Sequence, residues 1–592
     1  MRPILAVLAV TLAAHAAQAD GTFDNRLRGP VPEIDRRAPL SSVVAVGAVD
    51  GGPLTDAARK AGELSPGVAD GVRVADGLTG GLLVSWLQPV GPAGERFGAN
   101  NDYLAWFGDA AKGYLWVSHE YLSGQGPTGR AAEWTAPTGD HARLAQWLME
   151  RGKLACDGAP PCWSQPKARA AHVAGVKESL GGSWLRVVKG GDGWRVDPTD
   201  ANARRYPASS TTRLLMTGPY AGQVKDHDDA GRPLPKGVVA GTIADCSGGV
   251  TPWGTVLLGE ENVEAFYGKK GRGLDIAGKG PSHDPDYYGW AAEIDPGADP
   301  GLVYDPKSGK GHAKHSALGR ARWENFSFAV GADGRPVEGG PLTVYFADDR
   351  SGGRVHKFVS AKPWRQGASR AEKRKLLTAG TLFVSALTGV APDGHTMTAT
   401  GRAPTRGEGF VGRWVPVAVD HLADLFANEE RLGIFGQNRP EEVEWHPGRA
   451  ALYIAYTGHD DRGDRAGRIW AFEERPGESF IFYEVAAGSE RLFADGGFAR
   501  PDNLVVGTDG SLWFATDGQP GVTGGVAADA FYLLEIDDAT GAARAVKRIV
   551  TAPPGAEITG PAFTPDMTTL FLAIQHPGEG AFEAATGWPL RP

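Results

Sequence analysis

One unit returns along the chain: a turn, a short apolar strand rich in aromatic or β-branched residues, then a polar or acidic cluster where the strand ends. It appears as GYLWVSHEY (113–121), WGTVLLGEEN (253–262), PLTVYFADD (341–349), ALYIAYTGHDD (451–461), GSLWFATDG (510–518) and TLFLAIQHPGE (569–579). Several are followed by a second strand of related character: GWAAEID (289–295), GRVHKFVS (353–360), GRIWAFEE (467–474) and AFYLLEID (530–537). Such pairs, recurring to the C-terminus, predict an all-β fold, a β-propeller, because each radial blade needs a neighbour to cover its apolar faces. A seventh run, GTLFVSALTG (380–389), ends without an acid, so the pattern alone leaves the number of blades open.

Helical signals are few. DHARLAQWLMERG (140–152) has helical spacing, with Asp140 as N-cap and Gly152 as stop. It runs into CDGAPPC, so 123–168 reads as an insertion stapled by a Cys156–Cys162 disulfide. The basic run ASRAEKRKLL (368–377) predicts a second surface helix whose charges form a solvated face. The rest of 20–592 reads as one propeller domain.

The geometry of a propeller gives the acidic clusters meaning. Strands near the axis run in a common direction, so polar groups at equivalent strand ends collect around one mouth of the channel. Carboxylates brought so close repel and raise one another's pKa unless cations neutralise them. A ring of acids with a histidine and a thiolate therefore predicts bound metal.

Composition narrows the class. Gly 84 and Pro 42 in 592 residues favour short strands and turns, and a formal charge of −9 argues against a nucleic-acid groove. Residues 1–19 carry Arg2, the apolar run ILAVLAVTLAAHAA and an Ala17-Gln18-Ala19 ending, the pattern of a Sec signal peptide. The expectation is a monomer in the periplasm or outside the cell, with no membrane span. In that oxidising setting Cys246 is the odd cysteine, either buried and inert or ligated.

The motifs NNDYLAW (100–106), GYLWVSHEY, DCSGGVTPWGTVLLGEEN (245–262), LGRARWE (318–324), FADDR (346–350), NRPEEVEWHP (438–447), FARPDNLVVGTDGSLWFATDG (498–518) and EITGPAFTPDMTTLFLAIQHPGE (557–579) together resemble the PhoX-type alkaline phosphatases, in that family's order. The resemblance implies a six-bladed propeller whose channel mouth holds Fe(III) and Ca2+ and hydrolyses phosphate monoesters. It makes Cys246 an iron ligand and Arg439-Pro440-Glu441 a phosphate-clamping arginine with a metal-bound glutamate. Residues two apart on a strand point to the same side, and a guanidinium fork suits phosphate.

Glu324 matches the acid of the family's Gly-Arg-Phe-x-His-Glu pattern and is assigned to metal. Ala321 and Trp323 depart from that pattern, and Asp245 stands where asparagine is usual, an extra negative charge beside the iron. Glu260 and Glu261 are both candidate ligands, although adjacent residues on a strand face opposite ways and one of the two is expected to reach the metals. Asp348 and Asp349 pose the same alternative. Asp517 and Glu557 are calcium candidates, Glu120 lines the mouth, and Asp502 and Asn503 hold a turn. Asn101 and Arg322 join Arg439 as phosphate candidates. Trp253, Trp513 and Phe571 read as core. The implied chemistry requires no side-chain nucleophile. Two other readings fit a calcium propeller: a lactonase or phosphotriesterase, which needs no thiolate, and a non-catalytic calcium-binding protein.

Overall fold

The computed structural model describes residues 21–22, 45–62, 64, 71–124, 137, 139–155, 165–267, 283–388, 404–408, 410–459, 463–489, 497–524, 527–553 and 555–577. The N-terminal apolar run and the Cys156–Cys162 pair lie outside these residues. The described chain is mostly β, as the strand pattern requires.

Six short strands occupy the middle of the molecule: Asn101–Gly108, Asp245–Val250, Trp323–Phe328, Pro440–His446, Pro501–Val506 and Glu557–Phe563. Each touches the next in this order, and the last touches the first, so the ring closes. Side chains tie the members together. Between neighbours, the Asn325 amide donates to the Val443 carbonyl at 2.8 Å and accepts from the Val443 N–H at 2.9 Å. Between the second and fourth strands, Ser247 Oγ donates to Glu442 Oε1 at 2.7 Å.

Outside every inner strand lies one of the apolar runs read from the sequence: Lys112–His119, Val256–Glu260, Pro341–Asp348, Ala451–Tyr456, Leu512–Thr516 and Thr569–Gln575, each antiparallel to its inner neighbour. Ala451–Tyr456 and Thr569–Gln575 are buried along their whole length, consistent with sheets covered on both faces. Trp513 and Phe571 are core residues; Trp513 stacks on Phe531 with ring centroids 5.5 Å apart. Trp253 is half-buried and donates to Glu293. Gly380–Leu387, the acid-free seventh run, pairs with Val355–Pro363 on one side and Val411–Pro416 on the other, away from the inner ring.

The last sheet is completed by the other end of the chain. Ala45–Asp50 pairs with Thr569–Gln575, and Asp50 accepts from the Thr569 hydroxyl. Closure therefore needs contacts between residues more than 500 positions apart, a slow step in any folding route because loop closure precedes the reward.

Gly139–Glu150 is the predicted first helix, with the buried Asp140 carboxylate accepting from the Ser123 N–H at 3.1 Å. A second helix, Pro166–Ser179, was hidden from the pattern because its buried positions include Ala168 and His172 beside Val173 and Val176. No helix among the described residues is long and apolar enough to cross a membrane.

The basic run at 368–377 departs from expectation. Ser369 and Glu372 form a capping box that starts a helix over Arg370–Arg374. Its charges are not all solvated: Arg370 pairs with Asp295 at 2.6 Å, and Arg374, fully buried, holds Glu293 at 2.6 Å. His315 Nε2 meets the same Glu293 oxygen at 2.9 Å, and Arg374 Nη1 also donates to the Gly309 and Gly311 carbonyls. Removing one partner of a buried, multiply bonded ion pair leaves an uncompensated charge. Arg374→Ala is expected to destabilise the protein by about 3–5 kcal/mol, read as a lower urea midpoint.

Candidate metal centre

A repeated backbone clip builds the site. In five of the six pairs the residue following the second strand donates its N–H to the carbonyl just before the inner strand: Glu120 to Asn100 (2.9 Å), Glu261 to Ala244 (3.0 Å), Asp349 to Arg322 (2.9 Å), Thr457 to Arg439 (3.1 Å) and Asp517 to Arg500 (3.1 Å). In the sixth, the His576 N–H donates to the Asn100 side-chain oxygen at 3.2 Å. Four of the accepting residues, Asn100, Ala244, Arg439 and Arg500, have φ between +31° and +55°. Non-glycine residues held there cost roughly 1–3 kcal/mol each and persist only where the surroundings over-determine them.

Just inside the clip, five of the inner strands carry a one-residue bulge at the same place, between Asn101/Leu104, Asp245/Gly248, Trp323/Phe326, Pro440/Val443 and Pro501/Leu504. A bulge re-aims a side chain. The re-aimed second residues are Asp102, Cys246, Glu324, Glu441 and Asp502, all buried. The sixth strand has its bulge later, at Thr559/Ala562, and contributes its first residue, Glu557.

These two sets meet in one funnel. Cys246 Sγ lies 3.2 and 3.3 Å from the Glu324 oxygens and 3.5 Å from Asp102 Oδ2. Ligand atoms fall within 4.8 Å of one another in Asp102/Cys246/Glu324, Glu120/Cys246/Glu261, Glu261/Glu324/Asp349 and Asp517/Glu557/His576. Burial, reinforced by the neighbouring carboxylates, pushes Glu120, Glu261, Glu324, Glu441, Asp502 and Glu557 well above the usual range. Burial likewise raises Asp102 to about 7 and the Cys246 thiol well above its ordinary value. Asp102 Oδ1 and both amide atoms of Asn101 and Asn503 are buried without a hydrogen-bond partner. Crowded acids, a thiol and orphaned oxygens fit a cluster of cations, which lowers the pKa of every group that ligates it.

One guanidinium enters the funnel. Arg439 donates through Nε and Nη2 to both Asp349 oxygens at 3.0 and 2.7 Å, and through Nη2 to Glu441 Oε1 at 2.5 Å. Its Nη1 has no hydrogen-bond partner among the described residues, and its side chain is 21% exposed.

Of the sequence-derived candidates, Glu120, Cys246, Glu261, Glu324, Arg439, Glu441, Asp517 and Glu557 converge here. Glu260 does not. Both its oxygens are held by Lys314 at 2.7 and 2.9 Å, with Thr242 and the Ile243 and Gly289 N–H groups completing its shell. Arg322 is also elsewhere, forked onto Glu264 through Nε and Nη2, while its carbonyl serves the clip. Asn101 opens its inner strand next to Asp102, with the partnerless buried amide named above.

Two of the three departures from the family pattern, Trp323 and Asp245, are bonded away from the cluster. Trp323 is buried, donates to the Gly319 carbonyl at 3.0 Å and packs edge-on against Phe346 and His356. Asp245 bonds Thr242 at 2.5 Å, and burial with Glu260 nearby raises it to about 8.

Sequence reading missed Asp102 and His576, left Asp349 as an alternative to Asp348, and gave Asp502 to a turn. Asp502 had a signal: Arg500-Pro501-Asp502 repeats Arg439-Pro440-Glu441 one blade-length later. His576 occupies the position after a second strand and contacts Glu557 at 3.2 Å. His119 instead bonds Ser183 at 2.7 Å. A separate grouping, Asp226/His227/His283, already holds a cation: Lys177 Nζ lies 3.4 Å from His283 Nε2 and 2.5 Å from Asp229.

The fold is that of a solved structure, Pseudomonas fluorescens PhoX in complex with vanadate, at 22% identity and TM-score 0.67, covering 88% of this chain and 93% of that one. Putative 6-phosphogluconolactonases from Bacteroides fragilis and Bacteroides uniformis overlay with TM-scores of 0.29 and 0.30 at 10% and 8% identity, covering 88% and 86% of this chain and 97% and 99% of theirs, too loosely to bear on the site. No curated protein matches the chain. The family profile described as alkaline phosphatase PhoX matches residues 60–578, and the chain belongs to that family.

Proposed function

We propose that this protein is an exported, metal-dependent alkaline phosphatase that hydrolyses phosphate monoesters at the mouth of a six-bladed β-propeller, with ferric iron and calcium as its cations. The observation that carries the reading is the convergence of a buried thiol and carboxylates from all six strand pairs on one funnel that also holds Arg439. The closed ring of inner strands supports the propeller. The thiolate position beside Glu324 suits iron, whereas Asp102, Asp502, Glu557 and the Asn503 amide form an oxygen-rich side that suits calcium.

When bound, such cations neutralise the phosphoryl oxygens and activate the attacking oxygen. The chain's own residues do the rest. Asp349 and Glu441 fix the plane of Arg439, leaving Nη1 to donate to a non-bridging phosphoryl oxygen. The Asn101 amide supplies a further donor without a competing protein partner. The walls exclude water, so these donors act in a medium where they are strong.

Purified protein loaded with iron and calcium is expected to hydrolyse 4-nitrophenyl phosphate at alkaline pH, and chelation to lower the rate at least a hundredfold. Metal-independent turnover overturns the scheme. Cys246→Ala and Glu261→Gln are each expected to lose iron by elemental analysis and at least a hundredfold in kcat. A calcium-only propeller enzyme keeps its activity in Cys246→Ala. Glu260→Gln leaves Lys314 half-paired, so it is expected to keep its metals while losing about 3 kcal/mol of stability, read by urea unfolding. Arg439→Ala is expected to retain metal and lose roughly a hundredfold in kcat/KM.

A further inference from the structure

Beside the funnel, on its open side, lies a cavity of about 220 Å³ whose wall includes Glu261 and Ala321 together with Arg320, Arg322, Arg350 and Phe426. Glu261 belongs to the metal-binding cluster, so the cavity and the candidate cations share a wall. Roughly 150 Å³ suffices for a benzene ring, so the space accepts a group of that size. Ala321 lines this space, and a larger side chain there would narrow it.

The arginines in this wall are not equivalent. Arg322 is neutralised by Glu264. Arg320 donates through Nε and Nη2 to the Tyr288 and Pro285 carbonyls. Arg350 is anchored from behind: its Nε donates to buried Asp348 at 2.8 Å, and its guanidinium lies over the Phe426 ring, 4.6 Å from the centroid. Both of its terminal nitrogens are without a protein partner among the described residues. A guanidinium held flat on an aromatic face, with its outer edge open, is preorganised to receive an oxyanion in two parallel hydrogen bonds. The other acids of the wall are Glu264, spent on Arg322, Asp286, half-buried on the far side of Arg320's carbonyl partners, and the exposed Asp424.

We propose that this cavity is the leaving-group subsite of the phosphatase reaction, and that Arg350 selects phosphomonoesters whose alcohol carries a second anionic group, a carboxylate or another phosphate. The inference rests on the phosphatase reading above. During hydrolysis a water oxygen bonds to phosphorus and gives up a proton as the bond between phosphorus and the ester oxygen breaks, the ester oxygen takes a proton from solvent, and the released alcohol leaves with its anionic group still facing Arg350. Arg350 does not touch the phosphorus centre; it sets specificity.

The test compares two esters that differ only in this group, 3-phosphoglycerate and glycerol 3-phosphate, with 1,3-propanediol bisphosphate as the phosphate-bearing arm, all on the metal-loaded protein. Wild type is expected to favour the two anionic-tailed esters in kcat/KM by about tenfold, mostly through KM. Arg350→Gln is expected to bring both ratios to about one while glycerol 3-phosphate turnover stays within twofold. Arg350→Lys should keep part of the preference. Ala321→Phe, which narrows the cavity without removing a charge, is expected to abolish the preference independently. A preference for one anionic arm alone identifies which oxyanion the subsite takes. Turnover of all three esters at equal kcat/KM, or a preference unchanged in both Arg350→Gln and Ala321→Phe, overturns the subsite alone. Absence of turnover of every ester overturns the phosphatase reading, and the subsite with it.

Discussion

Negative charge gathered out of water is the constraint around which this molecule is organised. Asp102, Glu120, Glu261, Glu324, Asp349, Glu441, Asp502, Asp517 and Glu557 share a funnel with the Cys246 thiol, and Arg439 is the guanidinium that faces them. Two like charges 4 Å apart repel by about 4 kcal/mol at the effective dielectric of a protein. Such a set cannot ionise together unaided. Cations remove the penalty and at the same time become the reactive centre, so metal binding and the stability of the inner ring are linked quantities.

The scaffold achieves this crowding by repetition of one local geometry. In five of the six pairs a backbone hydrogen bond ties the residue after the second strand to the residue before the inner strand, and a bulge directly behind it turns the second residue of the inner strand toward the axis. Equivalent backbone placements then accept different side chains: behind the bulge a thiol at Cys246 and carboxylates at Glu324 and Glu441, on the clip carboxylates at Glu261 and Asp349 and a hydroxyl at Thr457. Function is written in side chains on a geometry that the strands supply regardless of them.

The same geometry separates adjacent acids into opposite duties. Glu260 ends its strand and faces the core, where Lys314 neutralises it; Glu261, one residue on, sits on the clip and faces the funnel. Asp348 and Asp349 divide likewise: the first accepts from the Arg322 N–H and from Arg350, the second holds Arg439. Through Asp348, the outer arginine of the side cavity and the inner acids of the cluster hang from one turn. That turn couples the shape of the mouth to the placement of the centre.

Much of this was legible in the chain itself. The six apolar runs are strands because β-branched and aromatic side chains on a half-exposed backbone have few other stable arrangements, a local property that periodicity reports. Cys246, Glu324 and the Arg439-Pro440-Glu441 triplet stood out only through their resemblance to the family's motifs, since a lone thiol or an Arg-Glu pair carries no metal signal by itself. The sequence could not decide between Glu260 and Glu261, reveal that Arg374 is buried, aim Asp502 inward, or pair Ala45–Asp50 with the far end of the chain. Those outcomes depend on which partner lies opposite and where a bulge shifts the register, and both are settled only when residues hundreds of positions apart come together.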